Sequence, residues 1–262
     1  MATTVVPPDK KSNYEKLFAS CIIKEAKYPE IDTLVAKIVS SKSRYQSVGD
    51  PLNIPWYMIS IIHCMEGSLN FTTHLHNGDT LNNYTTHVPA GRPITGKPPF
   101  TWEASAKDAL IYDKLNSWTD WSIAGILYRL ELFNGLGYYK QGINSPYLWS
   151  YSNQYTKGKY VQDGKYDPNA VSKQCGAAVL LRRMMEQHLI TLPNTHIVEQ
   201  IIAQGNKTMY YSGKVTNEAT ELQKLLNSAG SVLRIDGKAG ERTSTEYFKF
   251  SKTYLKGDPR RF

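Results

Sequence analysis

Cysteine is scarce in this chain: Cys21, Cys64 and Cys175 are the only three, odd in number and far apart, with no CxxC pair. That excludes a disulfide framework and a thiolate zinc cluster, and it leaves reduced, partly buried thiols. Long apolar runs are also missing. The longest, IPWYMISII and AAVLL, fall well short of the roughly 20 residues that span a bilayer, so no membrane insertion is expected. The opening MATTVVPPDKKSNYEK lacks the basic start and apolar core of a secretory signal. Synthesis in a cytoplasm is therefore expected, whatever the place of action. Neither a repeat of about 20–50 residues nor a low-complexity tract occurs. Acidic residues are the minority, 23 against 31 Lys and Arg, for a formal charge of +8 and a pI near 9.2. A polyanionic partner fits that balance. Nucleic acid and bacterial cell-wall polymer both qualify, but the chain has no basic helix-turn-helix, zinc finger or aromatic RNA-binding signature. Nucleic acid is not the expected partner.

What is present suits a folded enzyme. An apolar fraction of 41% over 262 residues supports a mid-sized domain and a small second one, with the boundary near 192–205. We take 1–195 as the catalytic domain and 196–262 as the second. The pattern is mainly α, with a small β-hairpin region (α+β). Tyr14, Leu17, Phe18, Cys21 and Ile22 recur at helical spacing over 13–27, and a second helix spans 28–49. After Asp50-Pro51 an apolar helix opens at Pro55. The period is lost over 70–88, where Thr-, His-, Asn- and Gly-rich pieces suggest strands and turns, followed by a proline-rich loop. Helices resume with Thr101 as cap and Glu103 in the first turn. WTDWSIAGILYRLELF is apolar nearly all round, hence central. A long aromatic loop then precedes the helix expected in PNAVSKQCGAAVLLRRMMEQHLI, and the tail reads as helix, short turn, helix.

The chemistry centres on Glu66, the one acid reached by the apolar helix, just before Gly67. Apolar surroundings raise a carboxyl pKa and keep the proton that a general acid needs. Asp79, in an N-G-D turn, should stay ionised. Two carboxyls with separated pKa values are the usual equipment for cleaving a glycosidic bond. Asp79 with a hydroxyl of Thr85 or Thr86 is the candidate water holder, although Thr in strands and Asp in turns are also ordinary local structure. His63, His74, His76 and His87 crowd the same stretch, so a zinc amidase is an alternative. The H-E-x-x-H spacing is absent, and no metal or other cofactor is expected. His63 and His74 are assigned instead to the site around the carboxylates. Tyr138, Tyr155 and Tyr160 belong to an aromatic segment suited to stacking on sugar rings, or to a Tyr-rich core.

Two resemblances sharpen this. MEGSLNF, with Glu66, Ser68 and Phe71, resembles the Glu-x-Ser segment that ends a helix in goose-type lysozymes and lytic transglycosylases. Phe133-Asn134-Gly135-x-Gly137 resembles the aromatic-Asn-x-Gly loop of that group, and SPYLWSYSNQYTKGKYV fills the place of its tyrosine-rich substrate segment. The resemblance implies a lysozyme-like helical domain in which Glu66 protonates the bridging oxygen. Ser68, Asn134, Tyr138, Tyr155 and Tyr160, with His63 and His74, then line the substrate. The tail, with Leu222-Gln223, Leu226-Asn227, Gly230, Asp236-Gly237, Gly240 and Thr243, resembles the small three-helix peptidoglycan-binding domain. Asp236, Gly237, Gly240 and Thr243 form its turn, in which Asp236 and Thr243 cap backbone N–H groups. Phe248 and Phe250 depart from the ending common there.

The implied protein is a monomeric muramidase acting on peptidoglycan glycan strands, as a phage endolysin or a delivered effector would. Lytic transglycosylation through the substrate's own hydroxyl, a chitinase-like activity, and a wall-binding virion protein without activity are the alternatives.

Overall fold

The computed structural model of the chain describes residues 6–162, 164–192, 195–211, 213–229 and 231–261. It is mainly helical, 51% helix in 12 helices, with one two-stranded antiparallel sheet. Two compact units result, Met1–Leu192 and Pro193–Phe262, each with its own apolar core.

In the first unit α1 (Pro8–Ala19), α2 (Tyr28–Ser40) and α3 (Lys42–Gly49) lead into α4 (Trp56–Gly67). The single helix expected over 28–49 breaks at Ser41, whose φ of −105° and ψ of 11° leave the helical region. Every residue of α4 from Met58 to Met65 is buried, as its continuous apolar sequence requires. The helix then stops abruptly. Ser68 and Leu69 both take positive φ, 49° and 61°, and Leu69 N–H closes back on the His63 carbonyl at 3.2 Å, a left-handed ending that reverses the chain immediately after Glu66.

The stretch 70–100 contains no ladder beyond one isolated bridge, Thr73 to Thr80. The β-hairpin region expected there lies instead at β1 (Lys159–Gln162) and β2 (Lys165–Asp167), paired Tyr160 to Tyr166 with a bulge. Side chains do the work of a ladder in 70–100. Thr85 Oγ1 donates to the Pro89 carbonyl at 2.6 Å and accepts from Arg92 N–H at 2.8 Å. Arg92 in turn grips Asp108 through Nε at 2.8 Å and Nη2 at 2.9 Å, and His76 Nε2 meets the same carboxylate at 2.8 Å. This triad, centred on the buried Asp108, pins the proline-rich loop to α5 (Trp102–Tyr112).

Thr101 caps α5 as expected, accepting from Ala104 N–H at 3.2 Å. Ser122 caps α6 (Ile123–Asn134) in the same way, accepting from Gly125 N–H at 3.1 Å. Gly125 is required there, because a Cβ would lie 2.0 Å from the Asp120 carbonyl oxygen. Two short helices, α7 (Gly137–Lys140) and α8 (Pro146–Trp149), precede the sheet. The last helix of the unit, α9 (Ala177–Glu186), is shorter than its sequence suggested. Residues 168–176 stay outside the helix, with Gly176 packed against the Leu148 carbonyl.

The second unit contains α10 (Thr195–Lys207), α11 (Asn217–Ser228) and α12 (Glu241–Ser251). They close on Ile201, Ala219, Leu222, Leu226, Ala239, Tyr247 and Leu255. Gly230 of the tail motif lies outside the described residues.

Candidate active site

Glu66 is exposed at the mouth of α4, yet burial still raises its pKa. Its carboxyl is thus partly surrounded by protein at the end of the helix while water still reaches it. Tyr147, from α8, donates its O–H to Glu66 Oε1 at 2.7 Å and holds its own proton far above the usual phenol range, through burial first and the neighbouring carboxylate second. Oε1 is thereby fixed as an acceptor, and Oε2 is the oxygen free to carry a proton.

The second carboxyl is Asp113, which closes α5 as Glu66 closes α4. Burial pushes its pKa up to about 6, the Arg129 cation opposes that rise, and the charge of Glu66 adds to it. No hydrogen bond reaches the Asp113 carboxylate among the described residues, so nothing but charge and solvent balances it. The charge of Glu66 is the least of these three influences on Asp113. Asp113 lines a cavity of about 330 Å³ with Arg129, Leu132 and Phe133, all three from α6. Arg129 is only 6% exposed. Its Nη2 donates to the Asp113 backbone carbonyl at 2.6 Å, and its guanidinium lies 5.4 Å from the Trp118 ring centroid.

The sequence-derived candidates fall into two groups. Ser68 and Asn134 are exposed, Ser68 directly after Glu66 and Asn134 at the end of the helix that carries Arg129. Tyr160 is half-buried, its ring against Tyr138 and Tyr166 and its hydroxyl accepting from Gln141.

The others are sealed or occupied. His63 and His74 are each 1% exposed and cannot touch a substrate. His63 Nε2 donates to the Asn70 carbonyl at 3.1 Å, which leaves Nδ1 to accept from Tyr45 O–H at 3.1 Å. Burial holds its pKa down to about 4, so it packs as a neutral ring among Tyr45, Phe71 and Trp102. His74 Nε2 likewise donates to the Asn83 carbonyl, and Nδ1 accepts from Ser105.

Tyr138 and Tyr155 are core residues, 5% and 4% exposed, because the aromatic loop folds back on itself. The Tyr138 hydroxyl accepts from Tyr160 N–H at 2.8 Å. Thr85 is buried with its hydroxyl committed to the loop closure described above.

Asp79 accepts four bonds from its own loop, from Thr86 N–H and Oγ1, His87 N–H and His87 Nδ1. The His87 and Thr86 donors hold it well below the ordinary carboxylate range. None of these contacts reaches Glu66. Thr86 is exposed beside Asp79. Among the described residues no three His, Cys, Asp or Glu side chains converge as metal ligands, so the histidines of a zinc amidase are not brought together.

Asp113 and Arg129 escaped the sequence reading, whereas Tyr147 lies in the tyrosine-rich segment that reading had assigned to substrate. The signals were there: an acid ending the apolar run DALIYD, and an arginine inside the otherwise apolar ILYRLELF.

In the second unit a groove of about 450 Å³ is lined by Asp236, Gly240 and Thr243 together with Gln223, Tyr211 and Arg234. Gln223, 2% exposed, organises it. Its Oε1 accepts from Asp236 N–H at 3.0 Å and Gly237 N–H at 2.9 Å, and its Nε2 reaches Asp236 Oδ1, the Lys238 carbonyl and Thr243 Oγ1. Asp236 caps Lys238 N–H at 3.0 Å, as its turn motif suggested, whereas the Thr243 hydroxyl serves Gln223 instead. Gly237 has φ +70°, and a Cβ there would meet Val215 at 2.7 Å and Thr220 at 2.8 Å.

Comparison of the chain with protein-family models, curated proteins and solved structures returns no match.

Proposed function

We propose that this chain is a peptidoglycan hydrolase of lysozyme-like type, cleaving the β-1,4 bond between N-acetylmuramic acid and N-acetylglucosamine. The observation that carries the reading is Glu66 at the end of α4, its pKa raised by burial and its Oε1 bonded by the Tyr147 hydroxyl at 2.7 Å, with Asp113 near enough to feel its charge. In this reading Glu66 Oε2 hands its proton to the bridging oxygen as the bond to the sugar C1 breaks. Water adds to C1, and its proton passes to Asp113.

Asp113 thus takes the role that sequence reasoning gave to Asp79 and the threonines. The Gln223-centred groove of the second unit holds the wall polymer. Attraction between the net positive charge and an anionic wall adds to binding and weakens with salt. The protein works as a monomer and without a cofactor, at the bacterial wall, after release through a pore or delivery by a secretion machine.

The test is turbidity loss of purified cell walls by the wild type against E66Q. Clearing by the wild type alone, unaffected by EDTA, with reducing muropeptides by mass, supports the proposal. Equal clearing by E66Q, or products cut at the amide, would remove it. Anhydro products would favour the transglycosylase alternative, in which the substrate's own hydroxyl replaces water.

A further inference from the structure

Arg129 is a costly residue in its position. It stands in the middle of an apolar helix, 6% exposed, and arginine cannot shed its charge by losing a proton. It makes no ion-pair contact with a carboxylate among the described residues. Its Nε is sealed from solvent without a hydrogen-bond partner. One nitrogen, Nη2, is spent on the Asp113 carbonyl at 2.6 Å, which ties the guanidinium to the very residue whose carboxyl shares its cavity. The Trp118 ring lies beside it, with its centroid 5.4 Å from the guanidinium carbon.

A buried cation without a contacting anion lowers stability, and such arrangements persist where the charge has work to do. The groups whose charge acts here are few. Glu66 and Tyr147 meet from α4 and α8, Asp113 closes α5 with exposed Lys114 after it, and Arg129 comes from α6 beside Tyr128. Only Arg129 is a buried cation among them.

We propose that Arg129 is a positioning residue: a fixed, unpaired cation at the base of the cleft that lets Asp113 carry negative charge there, so that Asp113 can take a proton while Glu66 gives one. This rests on the hydrolase reading above. It adds a residue whose role is to divide one proton between two acids. Without it, burial and the charge of Glu66 would keep Asp113 protonated through the working range.

The experiment compares the wild type, R129M and R129K on purified cell walls across pH 4–9, with E66Q as the inactive reference. It also follows the titration of Asp113 by NMR of carboxyl-labelled protein, the signal being assigned with D113N. For R129M we expect the Asp113 midpoint and the pH optimum to rise by about one unit or more, with kcat at pH 6 falling about tenfold or more. KM should change much less, and R129K should restore the optimum.

An unmoved Asp113 midpoint in R129M would overturn the proposal, even if activity fell. So would a profile reduced in height but unshifted, the signature of a merely structural role. Should R129M not fold, R129Q, which can still donate to the Asp113 carbonyl, is read by the same criteria. If E66Q clears walls as well as the wild type, the hydrolase reading fails, while the NMR titration still decides whether Arg129 governs Asp113.

Discussion

Replacing Asp113 by Asn should make the first unit more stable, and only above a defined pH. In the folded protein this carboxyl titrates at about 6, against 3.8 for the free side chain. Its folded pKa is raised, so between those values the folded state keeps a proton that the unfolded chain has already lost. Stability from this group is complete below about pH 4, falls as pH rises through the window, and is fully lost above about 6. Roughly two pKa units at ~1.4 kcal/mol each set a ceiling of about 3 kcal/mol. For a unit of this size that corresponds to a Tm difference of up to about 6–12 °C.

D113N cannot titrate, and it forfeits no hydrogen bond to the carboxylate. Thermal unfolding followed by circular dichroism should therefore show D113N and wild type alike at pH 4, with D113N melting several degrees higher at pH 7.5. The same variant should have lost wall-clearing activity. A Tm difference that is the same at both pH values would refute the reasoning, as would a D113N protein less stable at pH 7.5. Either result would mean that the carboxyl is not held out of water in the cleft.

Other expectations follow from the same geometry. Tyr147→Phe removes the O–H that Glu66 Oε1 accepts; the pKa of Glu66 should rise, carrying the alkaline limb of the activity profile upward, at a stability cost of about 1 kcal/mol. Asp108→Ala strips Arg92 and His76 of their shared buried carboxylate and should cost about 3–5 kcal/mol in denaturant unfolding of the first unit. A loss under about 1 kcal/mol would show that the triad does not hold the loop. Gly237→Ala forces a side chain into a backbone with φ +70° and into Val215 and Thr220. Co-sedimentation with walls should weaken at least several-fold, while hydrolysis of short soluble glycan fragments continues unchanged.

Much of the helical framework was legible because burial and period agree. The α4 sequence has no polar residue between Met58 and Met65 except Ser60 and His63, and both are buried. The cap at Thr101 was legible because it follows from side-chain chemistry that acts within one turn. What failed to read was tertiary. The strands suggested in 70–88 gave way to side chains that bond their own loop, and the hairpin formed elsewhere. Asp79 looked like a partner for Glu66 because it was near in sequence, but its donors are equally near and they claim it first. Asp113 is remote in the chain and close in charge, a relation that only folding creates. His63 and His74 illustrate the reverse error, since a histidine beside a reactive acid in sequence can point into the apolar interior and serve as a neutral spacer.

The three thiols, finally, give this molecule a built-in reporter. Cys21, Cys64 and Cys175 are all buried and unpaired, with burial raising each thiol and Cys64 reaching about 11. At neutral pH almost no thiolate is presented to an alkylating reagent. All three lie before Leu192, and the second unit has none. Iodoacetamide uptake by the intact protein would therefore time the opening of the first unit alone, while the second could melt and refold without leaving a chemical trace.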